Sequence, residues 1–204
     1  MLKLKLFQRQ VMDHITSNQV QRPFCARADC LEESIVYEVP RRKFRVTHVT
    51  SCILICLALE LAAAAADFKD VQFAEVDGVR LTMDAHVPEG IGPFPAAVLV
   101  HGGGWVAGDK QQYITYIFQP LSDAGFAWFS INYRLAPQYK FPVDADDVEA
   151  AIRFVKANAA KYKIDPGRIA LIGESAGGHL VSYVGARNRP ESRVAAVVSM
   201  YGIH

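Results

Sequence analysis

Four short apolar runs constrain the fold of this 204-residue chain more than any other feature: Ala96–His101, Ala127–Tyr133, Ile169–Ile172 and Val194–Ser199. None of them alternates between apolar and polar residues. A strand without alternation is satisfied only where both of its faces are buried, which is the situation of a parallel sheet covered by helices. Helical patterns stand between the runs. Val148, Ala151, Ile152 and Val155 recur at helical spacing after Pro142 and the acidic group Asp144, Asp146 and Asp147, so a helix is expected to start there and fade near Lys161. A second helix is expected from Ala176 to about Arg187, and a third from about Tyr113 to Ala124, kinked at Pro120.

Ahead of the runs the pattern differs. Val79, Leu81, Met83, Ala85 and Val87 alternate with Arg80, Thr82, Asp84 and His86, and Asp77-Gly78 before them is a two-residue turn. Residues 71–76 and 79–87 are therefore expected to pair antiparallel, with one apolar face and one wet face. The whole is an α/β fold: a mostly parallel sheet with an antiparallel hairpin at its start.

Composition narrows the rest. An apolar content of 51% over 204 residues suits one globular domain. The net charge of +1 hides an asymmetry, since residues 1–66 hold nine Lys and Arg against six Asp and Glu, and residues 67–204 hold 13 against 15. The larger part is mildly acidic, so neither a nucleic-acid partner nor a stable membrane partner is expected of it. Cys25, Cys30, Cys52 and Cys56 all precede residue 57, which leaves the rest without a disulfide framework or a cysteine metal site.

The front of the chain reads as an address. Arg41-Arg42-Lys43-Phe44-Arg45, the apolar run 53–59 and the alanines 62–66 reproduce the basic, apolar and small-residue parts of a secretory signal peptide. The expected organisation is a disordered or over-extended lead over residues 1–40, a signal-like segment over 41–66 and a partial α/β domain over 67–204. The implied destination is secreted or periplasmic. A signal anchor in the membrane is the alternative.

Two motifs carry chemistry. Gly173-Glu174-Ser175-Ala176-Gly177 falls between a buried strand and a helix, where a sharp turn needs glycines on both sides and lifts the Ser175 hydroxyl above the sheet edge. His101-Gly102-Gly103-Gly104-Trp105 directly follows another strand, and three glycines in a row leave backbone NH groups unshielded for an anion. The second motif lacks the Lys-Ser/Thr of a P-loop and the spacing of a dinucleotide fingerprint.

With Asn132–Pro137 between them, these motifs resemble the hormone-sensitive-lipase and carboxylesterase branch of the α/β-hydrolases, and are especially similar to bacterial esterases grouped with feruloyl and acetylxylan esterases. The resemblance covers about residues 71–204. It implies Ser175 as nucleophile and the amides of Gly103, Gly104 and Ala176 as the oxyanion hole. His101, Gly102, Gly173, Glu174 and Gly177 would shape the two turns, and Tyr133, Arg134 and Asp147 would support them from below.

The implied activity is hydrolysis of a carboxylic ester, of a small molecule or an acylated polysaccharide, with no cofactor and no metal. Amide or peptide hydrolysis on the same fold, and a non-catalytic binding fragment, are the alternatives. In that family the acid and the histidine follow the serine. After Ser175 the chain offers Glu191, His179 and His204. None of them suits the triad, so a C-terminally truncated domain is expected, inactive by itself.

Overall fold

The computed structural model describes residues 64–203, within a compact unit that runs from Ala62 to His204. The lead, the signal-like segment up to residue 63 and His204 lie outside the described residues. No described helix is long and apolar enough to cross a membrane.

Six strands form one sheet in the order β1-β2-β4-β3-β5-β6. β1 (Ala66–Val76) and β2 (Val79–Val87) make the expected antiparallel hairpin, with Val76 paired to Val79 across the Asp77-Gly78 turn. β2 also runs antiparallel to β4 (Ala127–Ile131). From there β4, β3 (Phe94–Val100), β5 (Ile164–Glu174) and β6 (Ala196–Met200) are parallel to their neighbours. β5 begins five residues before the apolar run that predicts it, because Phe94 pairs with Ile164 and its amide donates to the Lys163 carbonyl at 2.7 Å.

Both faces of β3, β4 and the second half of β5 are buried, as their uninterrupted runs require, but the run at Val194–Ser199 departs from that expectation: β6 is the edge strand of the described sheet and Val197 is 39% exposed. Ala96, Val98, Val100, Phe129, Ile131, Ile169 and Leu171 point into the main core, where they meet Val148, Ala151, Ile152 and Val155 of one helix and Leu180, Val181 and Val184 of another. The pleat sends the alternate residues Ala97, Leu99, Trp128 and Ile172 to the opposite face, where they are also buried.

Three α-helices are described. α1 (Phe118–Asp123) is short and follows a 3-10 turn at Thr115–Ile117. It covers the second face through Phe118, which stacks on Trp128 with centroids 4.1 Å apart, and through Ser122, whose hydroxyl accepts the Trp128 indole NH at 3.0 Å. The expected kink is absent. Pro120 stands in the first turn of this six-residue helix, where an amide has no carbonyl to meet.

α2 (Val143–Ala157) starts with Asp144 and Asp146 in its first turn and ends four residues earlier than periodicity suggests. The Asn158 amide group caps it by donating to the Phe154 carbonyl at 2.8 Å. α3 (Ala176–Arg187) begins at the expected residue and closes on Asn188 in the left-handed region.

The face of β2 read as wet needs correction. Asp84 on that face is only 1% exposed, and His86 is half-buried, stacked on Trp128. The pairing of β2 with β4 sets Asp84 opposite Ser130, and the chain that follows the glycine loop crosses over both residues.

Candidate active site

At the C-terminal end of β5 the chain reverses into α3 at Ser175, whose φ of 52° and ψ of −115° lie far from any region an L-residue prefers. Its neighbours force that geometry. A side chain on Gly173 would overlap the Gly177 carbonyl, and one on Gly177 would overlap the Val100 carbonyl at the end of β3. The turn is held by the Ser175 amide, which donates to the Met200 carbonyl of β6 at 2.9 Å, and by the His179 amide, which donates to the Ser175 carbonyl at 3.1 Å. Ser175 is half-buried.

The glycine loop meets this turn from the end of β3. Gly103, Gly104 and Trp105 are consecutive left-handed residues with φ of 109°, 62° and 63°. The loop folds on itself there: the amides of Val106 and Ala107 donate to the Gly103 carbonyl at 3.2 and 3.1 Å. Gly102 is wedged against the serine turn, since a Cβ on it would lie 3.2 Å from the Ser175 Cβ and 2.9 Å from Glu174 Oε1. Among the described residues, none accepts a hydrogen bond from the amides of Gly103, Gly104 or Ala176. These donors stand beside a serine displayed by a strained turn, an arrangement suited to receive an oxyanion.

His101 belongs to the frame of the loop. It is 1% exposed, stacks on Tyr133 at 4.4 Å and sits with Nδ1 2.7 Å from the Gly102 carbonyl oxygen. Burial pushes its imidazole below the usual histidine range, against a smaller opposing pull from that carbonyl and Asp109. The Tyr133 hydroxyl donates to the His101 carbonyl at 3.0 Å. Below it, Arg134 donates to both oxygens of Asp147, with Nη2–Oδ1 at 2.7 Å and Nε–Oδ2 at 2.9 Å, and reaches Asp77 in the hairpin turn at 3.0 Å. One buried cation thus ties α2, the end of β4 and the β1–β2 turn together.

Of the three candidates that follow Ser175, Glu191 and His179 are among the described residues. Glu191 is exposed in a 3-10 turn at Pro190–Ser192, ahead of β6 and so at the end of the sheet away from Ser175. His179 lies one turn into α3, packed edge-on against Trp105 at 5.4 Å and tilted against Phe141 at 5.7 Å. No group of three or more metal-ligating side chains is found among the described residues.

Two supports went unseen in the sequence. Asp84 meets Lys69 at 3.2 Å, Lys110 at 3.3 Å, the Asp70 amide at 2.9 Å and the Gln111 side chain. Glu149 on α2, 1% exposed, meets Arg187 and Arg189 at 3.3 and 3.0 Å and Arg153 at 3.7 Å. Only the alternation error at Asp84 could have hinted at the first. For the second, the i, i+4 spacing to Arg153 was a weak sign.

The profile of the BD-FAE family matches residues 83–204, more than half of the chain and both motifs. The chain belongs to the BD-FAE family. Its fold is that of the α/β-hydrolase esterases among its structural neighbours. Over 130 residues this BD-FAE chain is 32% identical to the ethyl acetate hydrolase of Pseudomonas putida, matching 62% of itself and 41% of that protein. Over 87 residues it is 41% identical to the carboxylesterase NlhH of Mycobacterium tuberculosis, covering 43% of itself and 27% of that enzyme. A solved truncated carbohydrate esterase from gut microbiota superposes with a TM-score of 0.61 at 31% identity, over 67% of this chain and 56% of that one. The chain spans less than half the length of the curated relatives it matches.

Proposed function

We propose that the complete protein is a serine carboxylic ester hydrolase. One observation carries the reading: Gly102 packs against Ser175 and Glu174, so the glycine loop and the strained serine turn form one site. The Ser175 hydroxyl attacks the ester carbonyl carbon and the amides of Gly103, Gly104 and Ala176 receive the oxyanion. The alcohol then leaves with a proton, and water cleaves the acyl-enzyme to release the acid. The proton must pass through a base. Among the described residues no histidine is placed for that, and we assign the base and its orienting acid to polypeptide beyond His204. The partial coverage of the relatives supports this assignment.

The similarity to a carbohydrate esterase and the signal-like segment at 41–66 favour an exported enzyme acting on an acylated carbohydrate. The test uses the complete gene product: a fluorophosphonate probe should label wild type and spare Ser175→Ala, and acetylated xylan should release acetate. Labelling that persists in Ser175→Ala overturns the nucleophile. Hydrolysis of p-nitrophenyl acetate without any release from xylan overturns the polysaccharide alone.

A further inference from the structure

Glu174 differs from the other buried acids among the described residues. Asp84 has Lys69 and Lys110, Asp147 has Arg134, Glu149 has three arginines, and Asp144 accepts the Ala145 amide at 2.9 Å. Glu174 is 8% exposed, its Oε2 is buried with no hydrogen-bond donor, and among the described residues no cation pairs with it. It is the last residue of β5, immediately before the nucleophile, and its Oε1 fills the space that a Gly102 side chain would take.

The ionisable groups around it offer no counter-charge. Tyr116 in the 3-10 turn and Tyr133 after β4 both feel Glu174, and their phenols are pushed upward, chiefly by burial. Tyr116 in turn meets Tyr201, beyond β6, at 3.4 Å. His101 sits against Tyr133, and burial pushes its imidazole below the usual histidine range. Asp144 on α2 acts on the same Tyr133 phenol, and His179 on α3 faces Asp144. Burial pushes the Glu174 carboxyl above the usual carboxylate range, as expected for an acid without a partner.

We propose that Glu174 is a positioning residue that works as the neutral carboxylic acid, propping Gly102 beneath the oxyanion loop and keeping negative charge away from the anion that forms over Ser175. The inference rests on the serine-hydrolase reading above. An ionised Glu174 would place a full, poorly screened charge beside the nucleophile, where it opposes the transition state's own developing charge. The uncharged acid fills the same space without that opposition.

The test compares wild type, Glu174→Gln and Glu174→Ala of the complete gene product by p-nitrophenyl acetate hydrolysis from pH 5 to pH 9, with fluorophosphonate labelling of wild type alongside. Glu174→Ala removes the prop and should lower kcat about tenfold, and Glu174→Gln, the uncharged isostere, should rescue it. Infrared spectroscopy at pH 7 should show a protonated-carboxyl C=O band in wild type that is missing from Glu174→Gln. A merely space-filling role would not require that band. Its absence from wild type, or a Gln variant as impaired as the Ala variant, overturns the proposal while labelling of wild type leaves the serine reading intact. Absence of labelling overturns the serine reading first. If Glu174→Ala fails to fold, the carboxyl band decides alone.

Discussion

The Val100 carbonyl at the end of β3 occupies the space into which a side chain on Gly177 would grow. The first turn of α3 therefore lies directly on the strand that leads into the glycine loop, and even one methyl group must push the two apart. Gly177→Ala should lower stability by about 3 kcal/mol, at the upper end of ordinary overpacking costs because the obstacle is backbone. Urea unfolding followed by circular dichroism measures it, and a loss under 1 kcal/mol would mean that the contact relaxes freely.

Ser175 combines a chemical role with a strained backbone, and two substitutions separate them. In the complete enzyme Ser175→Ala and Ser175→Gly should both reduce kcat by on the order of a thousandfold or more. Only glycine adopts a φ of 52° with ψ of −115° without steric cost. Ser175→Gly should therefore be more stable than Ser175→Ala by about 1 kcal/mol in the same urea assay. Equal stability would show that the turn bears no strain.

Gly103 has a φ of 109° and no room for a Cβ beside the Ala107 carbonyl. Gly103→Val should displace the donor loop and reduce kcat by a factor equivalent to roughly 3 kcal/mol, the usual loss for one oxyanion donor. Steady-state kinetics on p-nitrophenyl acetate checks it. A change confined to KM would mean that the loop binds substrate and does not stabilise an anion.

Removing Asp147 leaves the Arg134 guanidinium, with a side chain only 6% exposed, facing a cavity where its partner stood. Exposed Asp77 is then its remaining acidic contact. Asp147→Ala should cost about 3 kcal/mol of stability, the lower range for breaking a buried pair. Thermal unfolding of Asp147→Ala against wild type gives the number.

For Asp84, burial alone would raise the carboxyl pKa, but the Asp70 amide together with Lys69 and Lys110 outweighs it and holds the group below the usual carboxylate range. The folded value is depressed, so its contribution to stability is present above the unfolded value of about 3.9 and is lost as pH falls through the folded value. Wild type should lose stability steeply below about pH 4, and Asp84→Asn should show a shallower acid dependence while being less stable at pH 7. Identical acid slopes would remove Asp84 from the accounting.

Local chemistry made much of this protein legible without coordinates. Unbroken apolar runs require a covered sheet, Asp77-Gly78 requires a tight hairpin, and a serine between glycines at a strand-to-helix junction requires the turn seen at Ser175. Each of these follows from neighbours in the chain, because backbone sterics and the pleat act over a few residues. What long-range packing decides was not legible. Asp84 reads as a solvent-facing residue of an alternating strand, and it is buried because β4 and the chain after the glycine loop, more than twenty residues away, close over it. Pro120 reads as a kink, and it is harmless because the helix begins only two residues earlier. Glu174 reads as one of the residues that shape the serine turn. That an oxygen of its buried carboxyl is left without a hydrogen-bond donor depends on Gly102, Tyr116 and Tyr133 arriving from three other segments, and burial and pairing are properties of that convergence, which no single stretch of sequence contains.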